Sequence, residues 1–404
     1  MTYALPELRK KVIYLDQFVF SNIMKMLSAE TPGHERAKSE PLWRELFESL
    51  DVLCSMQLVI CPDSTEHHDE SLISPFFEEL KSTYEHFSRG TSFSRSSTIL
   101  DMQVVEAFEG WLKNVKLEFD FDSHRVAHPN LHGWQDRIFI TTSGTLPGEK
   151  QAIKHGRRTL HTGLRDLFKQ WQAEKKSFAE VFELEKAGYS ELILRGIERD
   201  RKQAVQMESL LSNFGSASGP LPRSITQYSP TMNTSLMYGL RHIASMHLLE
   251  KYKSDLEQDQ EKVEDEAREK VVAFVESGAL SETPANTIGA SMYAALAWRA
   301  ATGQKKTPDE GMTTDIKVVS TLLPYCDAMF VDNICRSLLN EIPHTHKLPY
   351  KCAVFSAKTS SEFLQYLGEI RKSATPEHLE LLKDVYGATV LQPPTSIYGV
   401  GKRK

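Results

Sequence analysis

Four short apolar runs limit how this chain can fold. Two lie near its start, Lys11 to Leu15 and Leu58 to Cys61, and two near its end, Ala328 to Val331 and Cys352 to Phe355. Short, nearly continuous apolar runs rich in β-branched residues are typical of strands covered on both faces. The runs therefore predict a sheet with helices packed on each side.

Helical patterns separate these runs at both ends of the chain. From about Glu35, apolar residues recur at three- and four-residue spacing. Pro62-Asp63-Ser64 closes the second run and supplies a helix N-cap. Thr313-Thr314 can cap a helix that leads into the third run. Strand and helix alternate, which indicates an α/β fold.

The middle of the chain has a different pattern. Residues 85–304 contain few strand signals and several amphipathic windows, broken by segments rich in Ser, Gly and Pro. At 404 residues the chain is long enough for more than one module. We therefore predict a discontinuous α/β domain over residues 1–87 and 308–404, interrupted by an all-helical insertion over residues 88–307.

Composition excludes several classes of protein. No window approaches eighteen uninterrupted apolar residues and no secretory signal opens the chain, so a membrane partner and export are not expected. The five cysteines form no CxxC pair, which argues for reduced thiols in the cytoplasm. The net charge of -6 means that any contact with nucleic acid must be a local basic patch.

Acidic residues follow the predicted strands. Asp16 and Asp332 come directly after the first and third runs, Glu66 opens the helix after the second, and Asp315 opens a late helix. Ligands bind beyond the carboxyl ends of parallel strands, so these acids would converge. At about 4 Å, each pair repels by roughly 4 kcal/mol at an effective dielectric near 20. Oxygen ligands select Mg²⁺ or Mn²⁺, which can promote phosphodiester cleavage.

The order of these acids resembles the acidic signature of PIN-like nucleases. It consists of Leu15-Asp16 after a strand, Ser64-Thr65-Glu66 and Thr314-Asp315 each opening a helix, and Val331-Asp332-Asn333 after another strand. The resemblance implies an α/β/α sandwich with a central parallel sheet, and an endonuclease that uses Mg²⁺ or Mn²⁺. It makes Asp16, Asp315 and Asp332 metal ligands and Glu66 the fourth catalytic acid.

The likeness covers about residues 10–87 and 308–372, less than half of the chain, and compact PIN domains have a much shorter middle. Glu66 and Glu70 are one helical turn apart and face the same way, so either can be the site glutamate. Glu66 is preferred because it is closer to the strand end. Participation of Asp327 is left open.

Candidate substrate-binding residues lie beside the acids and in one basic cluster. Ser64 or Thr65 would support the water network, and Asn333 follows an acid directly. A basic cluster in the middle of the chain can track a nucleic-acid backbone; its members are Lys154, Arg157 and Arg158.

Together these features predict a metal-dependent endoribonuclease that cleaves RNA or single-stranded nucleic acid. The insertion would shape the substrate channel or mediate assembly, as a homo-oligomer or with a regulatory protein. A toxin or defence role follows from family analogy alone. The alternatives are a non-catalytic PIN-like module that binds RNA or protein, and a phosphoesterase that acts on small nucleotides.

Overall fold

A computed structural model describes residues 5–134, 148–191, 193–194, 197, 234–251 and 260–387. The chain divides into two compact units. The sheet unit comprises the described residues of Met1–Ile99, Phe121–Lys175 and Arg299–Lys404, and the helical unit those of Leu100–Asp120 and Lys176–Trp298.

The sheet unit is built on four parallel strands in the order β2-β1-β6-β7. They are β1 (Lys11–Leu15), β2 (Val59–Ile60), β6 (Ala328–Phe330) and β7 (Ala353–Phe355). Each lies within one of the four apolar runs. In register, Ile13 pairs with Ala328 and Leu15 with Phe330. The predicted mixed α/β fold with a central parallel sheet is therefore confirmed.

A second sheet was not predicted. It joins three two-residue strands in the order β3-β4-β5: β3 (Asp63–Ser64), β4 (Ser92–Phe93) and β5 (Ala127–His128). The β3 and β4 strands run parallel, and β5 is antiparallel to β4. Strands of this length are too short to show a period of two in the sequence.

Helices surround the central sheet in the sheet unit. They are α1 (Gln17–Leu27), α2 (His34–Ser39), α3 (Pro41–Ser55), α4 (Thr65–Ile73), α5 (Phe77–Ser88), the start of α6 (Ser96–Leu112), α7 (Glu149–Glu174), the end of α11 (Pro284–Ala301), α12 (Met312–Leu322), α13 (Asn333–Asn340), α14 (Ser360–Lys372) and α15 (Pro376–Tyr386). Residues 178–191 form α8, and α9 (Thr234–Lys251) and α10 (Gln260–Glu276) complete the series.

Alternation along β1 sets the two faces of the sheet. Ile13 and Leu15 are buried in one apolar cluster with side chains of α1, α3 and α14, including Phe20, Leu50 and Phe363. Tyr14 points to the other side of the strand, where its ring stacks on His67 of α4 at 5.3 Å. This packing fixes the start of α1 and of α4 beside the carboxyl end of β1.

The helical unit has its own core. Its buried residues come from α6, α9 and α10, and include Phe108, Leu240, Ala267 and Phe274. Described regular structure in this unit is helical, as the sequence predicts for the middle of the chain. None of the described helices is both long and apolar enough to cross a membrane. The middle of the sequence also contains an amphipathic window from Glu191 to Phe214, most of which lies outside the described residues.

The predicted insertion boundaries differ from the observed division. The predicted insertion includes residues 88–99, 121–134, 148–175 and 299–307, but these belong to the sheet unit. The β5 strand pairs with β4, and α7 is attached by Arg157 to Glu70 at 2.7 Å and by Gln172 to the carbonyl of Gln304 at 2.7 Å. These partners are distant in sequence, so local composition does not indicate them.

Candidate active site

The crevice between the ends of β1 and β6 is the switch point of the central sheet. From β1 the chain passes to β2 on one side and only later to β6 on the other. Crevices at such points are the usual ligand sites of open parallel sheets. Asp16 follows β1 directly, and its backbone N–H donates to the carbonyl of Phe330 at 3.0 Å. Asp16 and Asp332 therefore end neighbouring strands at one edge.

Asp16 carries a strongly perturbed carboxyl group. Burial, Glu70 and Asp332 raise the pKa of this group to about 7. The backbone N–H groups of Gln17 and Asp332 lie against the carboxyl and act in the opposite direction. The hydrogen bond from the backbone N–H of Asp332 to the Asp16 carboxyl places the two strand-end aspartates beside each other.

Asp332 occupies the N-cap position of α13. Its Oδ1 accepts a hydrogen bond from the backbone N–H of Cys335 at 2.5 Å. An aspartate at a helix start is common as a cap alone. Here the cap also fixes the direction of the carboxylate, and the neighbours of Asp332 include two further acids, Asp16 and Asp315.

Asp315 lies on the first turn of α12. Burial, followed by Asp16, Glu70 and Asp332, raises its pKa to about 9. A carboxylate oxygen of Asp315, a carboxylate oxygen of Asp332 and the Sγ atom of Cys335 all lie within 4.8 Å of one another. The end of β1 and the starts of α12 and α13 thus place acidic groups in one crevice.

Cys335 is a buried member of this cluster that the sequence analysis missed. Burial and the negative charges of Asp332, Asp315 and Asp16 raise the pKa of its thiol well above the ordinary value. The thiol therefore stays protonated in the metal-free protein. Its place three residues after the N-cap aspartate was the only sequence signal.

The two candidate glutamates have different surroundings. Glu66 Oε1 accepts from the backbone N–H of Ser96 at 3.1 Å, which links α4 to the start of α6. Glu70 raises the pKa of both Asp16 and Asp315. These electrostatic effects group Glu70 with the aspartates, whereas closeness to the strand end favours Glu66.

Two contacts hold Glu70 beside the aspartates. The Gln17 side-chain amide donates to Ser71 Oγ at 2.7 Å, so the residue after Glu70 is tied to the start of α1. Arg157 of α7 pairs with Glu70 Oε1 at 2.7 Å, and both side chains are mostly buried. Burial raises the pKa of Glu70, and the Arg157 guanidinium opposes this shift. Arg157, a predicted substrate ligand, therefore reaches the acid cluster itself.

The other predicted substrate-binding residues are dispersed. Ser64 is buried and caps α4 by accepting from the N–H of His67 at 3.1 Å, and Thr65 begins that helix. Asn333 is exposed, and its Oδ1 accepts from the N–H of Lys358 at 3.2 Å. The remaining two, Lys154 and Arg158, are exposed on α7.

Two further aspartates are placed by their contacts. Asp327 precedes β6, where it pairs with Lys11 Nζ at 2.7 Å and accepts from the N–H of Val12 at 2.9 Å. It therefore lies at the amino end of the strands, opposite the cluster. Asp309 caps α12 by accepting from the N–H of Met312 at 3.1 Å and adds to the pKa shift of Asp315.

Comparison with known proteins gives no relative: no family model, no curated protein and no solved structure matches the chain. Fold and site define its class as a mixed α/β protein with an acidic crevice at the switch point of a parallel sheet. Further assignment depends on the chemistry of that crevice.

Proposed function

We propose that the sheet unit is a PIN-like, metal-dependent nuclease that cleaves RNA or single-stranded nucleic acid. The observation that carries the proposal is the meeting of Asp16, Asp315 and Asp332 at the switch point, with pKa values of about 7 for Asp16 and about 9 for Asp315. Acids that repel one another this strongly are balanced either by protons or by a cation.

The donor set fits a hard divalent ion. One group of candidate ligand atoms comprises a carboxylate oxygen from each of Asp315 and Asp332 and the Cys335 thiol. Carboxylate oxygens suit Mg²⁺ or Mn²⁺. Asp16, Asp315 and Asp332 would hold the ion, and Glu70 would complete the negative cluster. When bound, such an ion supplies Lewis acidity for attack on a phosphodiester.

Residues of α7 supply the complementary charge. Arg157 sits against Glu70, and the exposed Lys154 and Arg158 lie within one turn of it on the same helix. Cations on one helix beside an acid cluster can hold the phosphates that flank the cleaved bond. The substrate strand would therefore run along α7 to reach the aspartates.

Cleavage of labelled RNA and single-stranded DNA tests the proposal directly. We expect cleavage with Mn²⁺ and Mg²⁺ and none with a chelator. A non-catalytic RNA-binding or protein-binding module predicts no cleavage with either ion. A phosphoesterase for small nucleotides predicts hydrolysis of model diesters but intact oligonucleotides. A toxin or defence role, a cytoplasmic location, a homo-oligomer and a regulatory protein partner stay predictions.

Metal binding should stabilise the protein more as pH rises. An unfolded aspartate titrates near 3.9, so between about pH 4 and pH 9 the folded chain holds protons that the unfolded chain has lost. The metal-free protein therefore loses stability as pH rises through this window. A cation must displace those protons, so its affinity increases with pH.

Thermal unfolding with and without Mn²⁺ measures this effect. At about 100 times the dissociation constant, binding adds roughly 2.7 kcal/mol, which corresponds to a rise in Tm of about 5–10 °C. At one Mn²⁺ concentration, we expect a larger rise at about pH 8.5 than at about pH 6. Asp327→Asn is the matched control: it removes an aspartate at the opposite end of the strands and should retain the Mn²⁺ increment. A rise that is absent, or independent of pH, would reject the metal site.

A further inference from the structure

A cleft of about 470 Å³ opens beside the acid cluster on the side of α1, α2 and α3. Asp332 and Asn333 form one wall, and the other walls come from the three helices. This volume is within the range of small-molecule sites in proteins. The proposed metal site does not occupy this cleft.

One face of α1 lines the cleft. Phe18, Asn22 and Lys25 stand at successive four- and three-residue intervals, so they share a face of the helix. This face begins two residues after Asp16. Aromatic, amide and ammonium groups therefore follow one another along the cleft, starting at the acid cluster.

A positive φ brings a second cation to the same cleft. Gly33 at the start of α2 has φ 87°, a conformation that side chains other than that of glycine rarely adopt. His34 Nδ1 lies 2.8 Å from the carbonyl oxygen of Lys25, so α2 begins against α1. Arg36 of α2 lines the cleft together with Lys25 as a result.

Both cations are available to a ligand. Within the described part of the chain, the Lys25 ammonium and the Arg36 guanidinium have no carboxylate within 4.0 Å. The carboxylate of Glu40, also in the cleft, accepts instead from Trp43 Nε1 at 3.0 Å. Two unpaired cations in one cleft fit a phosphate group.

The aromatic and amide groups fit a nucleobase. Phe18 is half-buried and is held edge-to-face against Trp43, with ring centroids 6.2 Å apart. Aromatic faces stack on any base. Asn22 Nδ2 donates to the carbonyl of Phe18 at 2.8 Å, and Asn333 Oδ1 accepts from Lys358 N–H. Asn22 thus retains an acceptor and Asn333 a donor for the edge of a base.

We propose that this cleft binds a single unpaired nucleotide, with its base against Phe18 and its phosphate at Lys25 and Arg36. In the substrate strand, this nucleotide is the one next to the phosphodiester bond that lies at Asp332. This second role rests on the proposed nuclease function. The nucleotide in this site is unpaired, so single strands are the proposed substrate class. Nucleotide binding itself requires neither metal nor cleavage.

Isothermal titration with the four nucleoside 5′-monophosphates tests the site by itself. The protein is the full-length Asp16→Asn variant in chelator, which removes one negative charge and any metal chemistry. We expect saturable binding, weakened at least about tenfold by Arg36→Ala and by Lys25→Gln. Lys38→Ala is the matched control, because Lys38 is an exposed cation of α2 that does not line the cleft. No binding, or equal weakening by Lys38→Ala, overturns the nucleotide site.

Cleavage kinetics then show whether the cleft binds a nucleotide of the substrate strand or a free nucleotide. In the wild-type background, Arg36→Ala should raise KM for single-stranded RNA with little change in kcat, and duplex of the same sequence should be a poor substrate. Unchanged KM beside weakened monophosphate binding would reject the strand role. Monophosphate binding without any cleavage of RNA would reject the nuclease function and leave a site for free nucleotides.

Discussion

Asp16→Asn is expected to abolish phosphodiester cleavage while the Tm of the metal-free protein stays the same or rises. The asparagine keeps an oxygen that can accept from the N–H groups beside it. It removes a negative charge that Glu70 and Asp332 oppose. Relief of that repulsion favours the folded state, whereas loss of a charged ligand removes the electrostatic basis of catalysis.

The expected loss of cleavage is about 10²–10³-fold or more, the scale for removing one preorganised charge-stabilising group. Initial rates on labelled RNA with Mn²⁺ and thermal unfolding in chelator give the two readouts. Asp327→Asn breaks the ion pair with Lys11 and should cost stability but not cleavage. The assignment fails if Asp16→Asn retains cleavage, because no other group of the cluster can take its place at the end of β1.

The central sheet was predictable because its signal is local. Each strand is a short apolar run, and its carboxyl end is marked by the next polar residue, as at Asp16 and Asp332. The register of β1 and β6, with Leu15 opposite Phe330, then brings these two aspartates together. Asp315 followed because it opens a helix that leads directly into β6.

The partners of α4 and α7 were not predictable in the same way. Glu66 and Glu70 look alike in the sequence, and only the contacts with Ser96 and Arg157 distinguish them. Arg157 reads as one cation of a surface cluster, because a pattern shows which face of a helix is polar but not what that face meets. The pairing with Glu70 spans 87 residues of chain.

The cleft was missed for a related reason. Its walls combine α1 and α2 with Asn333, which lies near the other end of the sequence. Spacing such as that of Phe18, Asn22 and Lys25 occurs on many half-exposed helices and indicates no ligand. Only the juxtaposition of these groups beside Asp332 gives the face a chemical meaning.

Replacing each of the two glutamates in turn should show which of them belongs to the acid cluster. Glu70→Gln is expected to lower cleavage by about 10²–10³-fold and to weaken Mn²⁺ binding, because it removes a charge that acts on both Asp16 and Asp315. Glu66→Gln should lower cleavage by less than about tenfold, because an amide oxygen can still accept from the N–H of Ser96. The same RNA assay and a Mn²⁺ titration of Tm compare the two variants.

The pair is well matched, since both residues lie on α4 one turn apart and both replacements keep size and shape. The Glu70→Gln side chain retains an oxygen for Arg157, so α7 should stay attached and the Tm in chelator should change little. A drop in that Tm would mean that lost packing of α7, not lost charge, explains weaker cleavage. The reverse ranking, with Glu66→Gln the more damaging variant, would assign the site glutamate to the first turn of α4 and contradict the grouping of Glu70 with the aspartates.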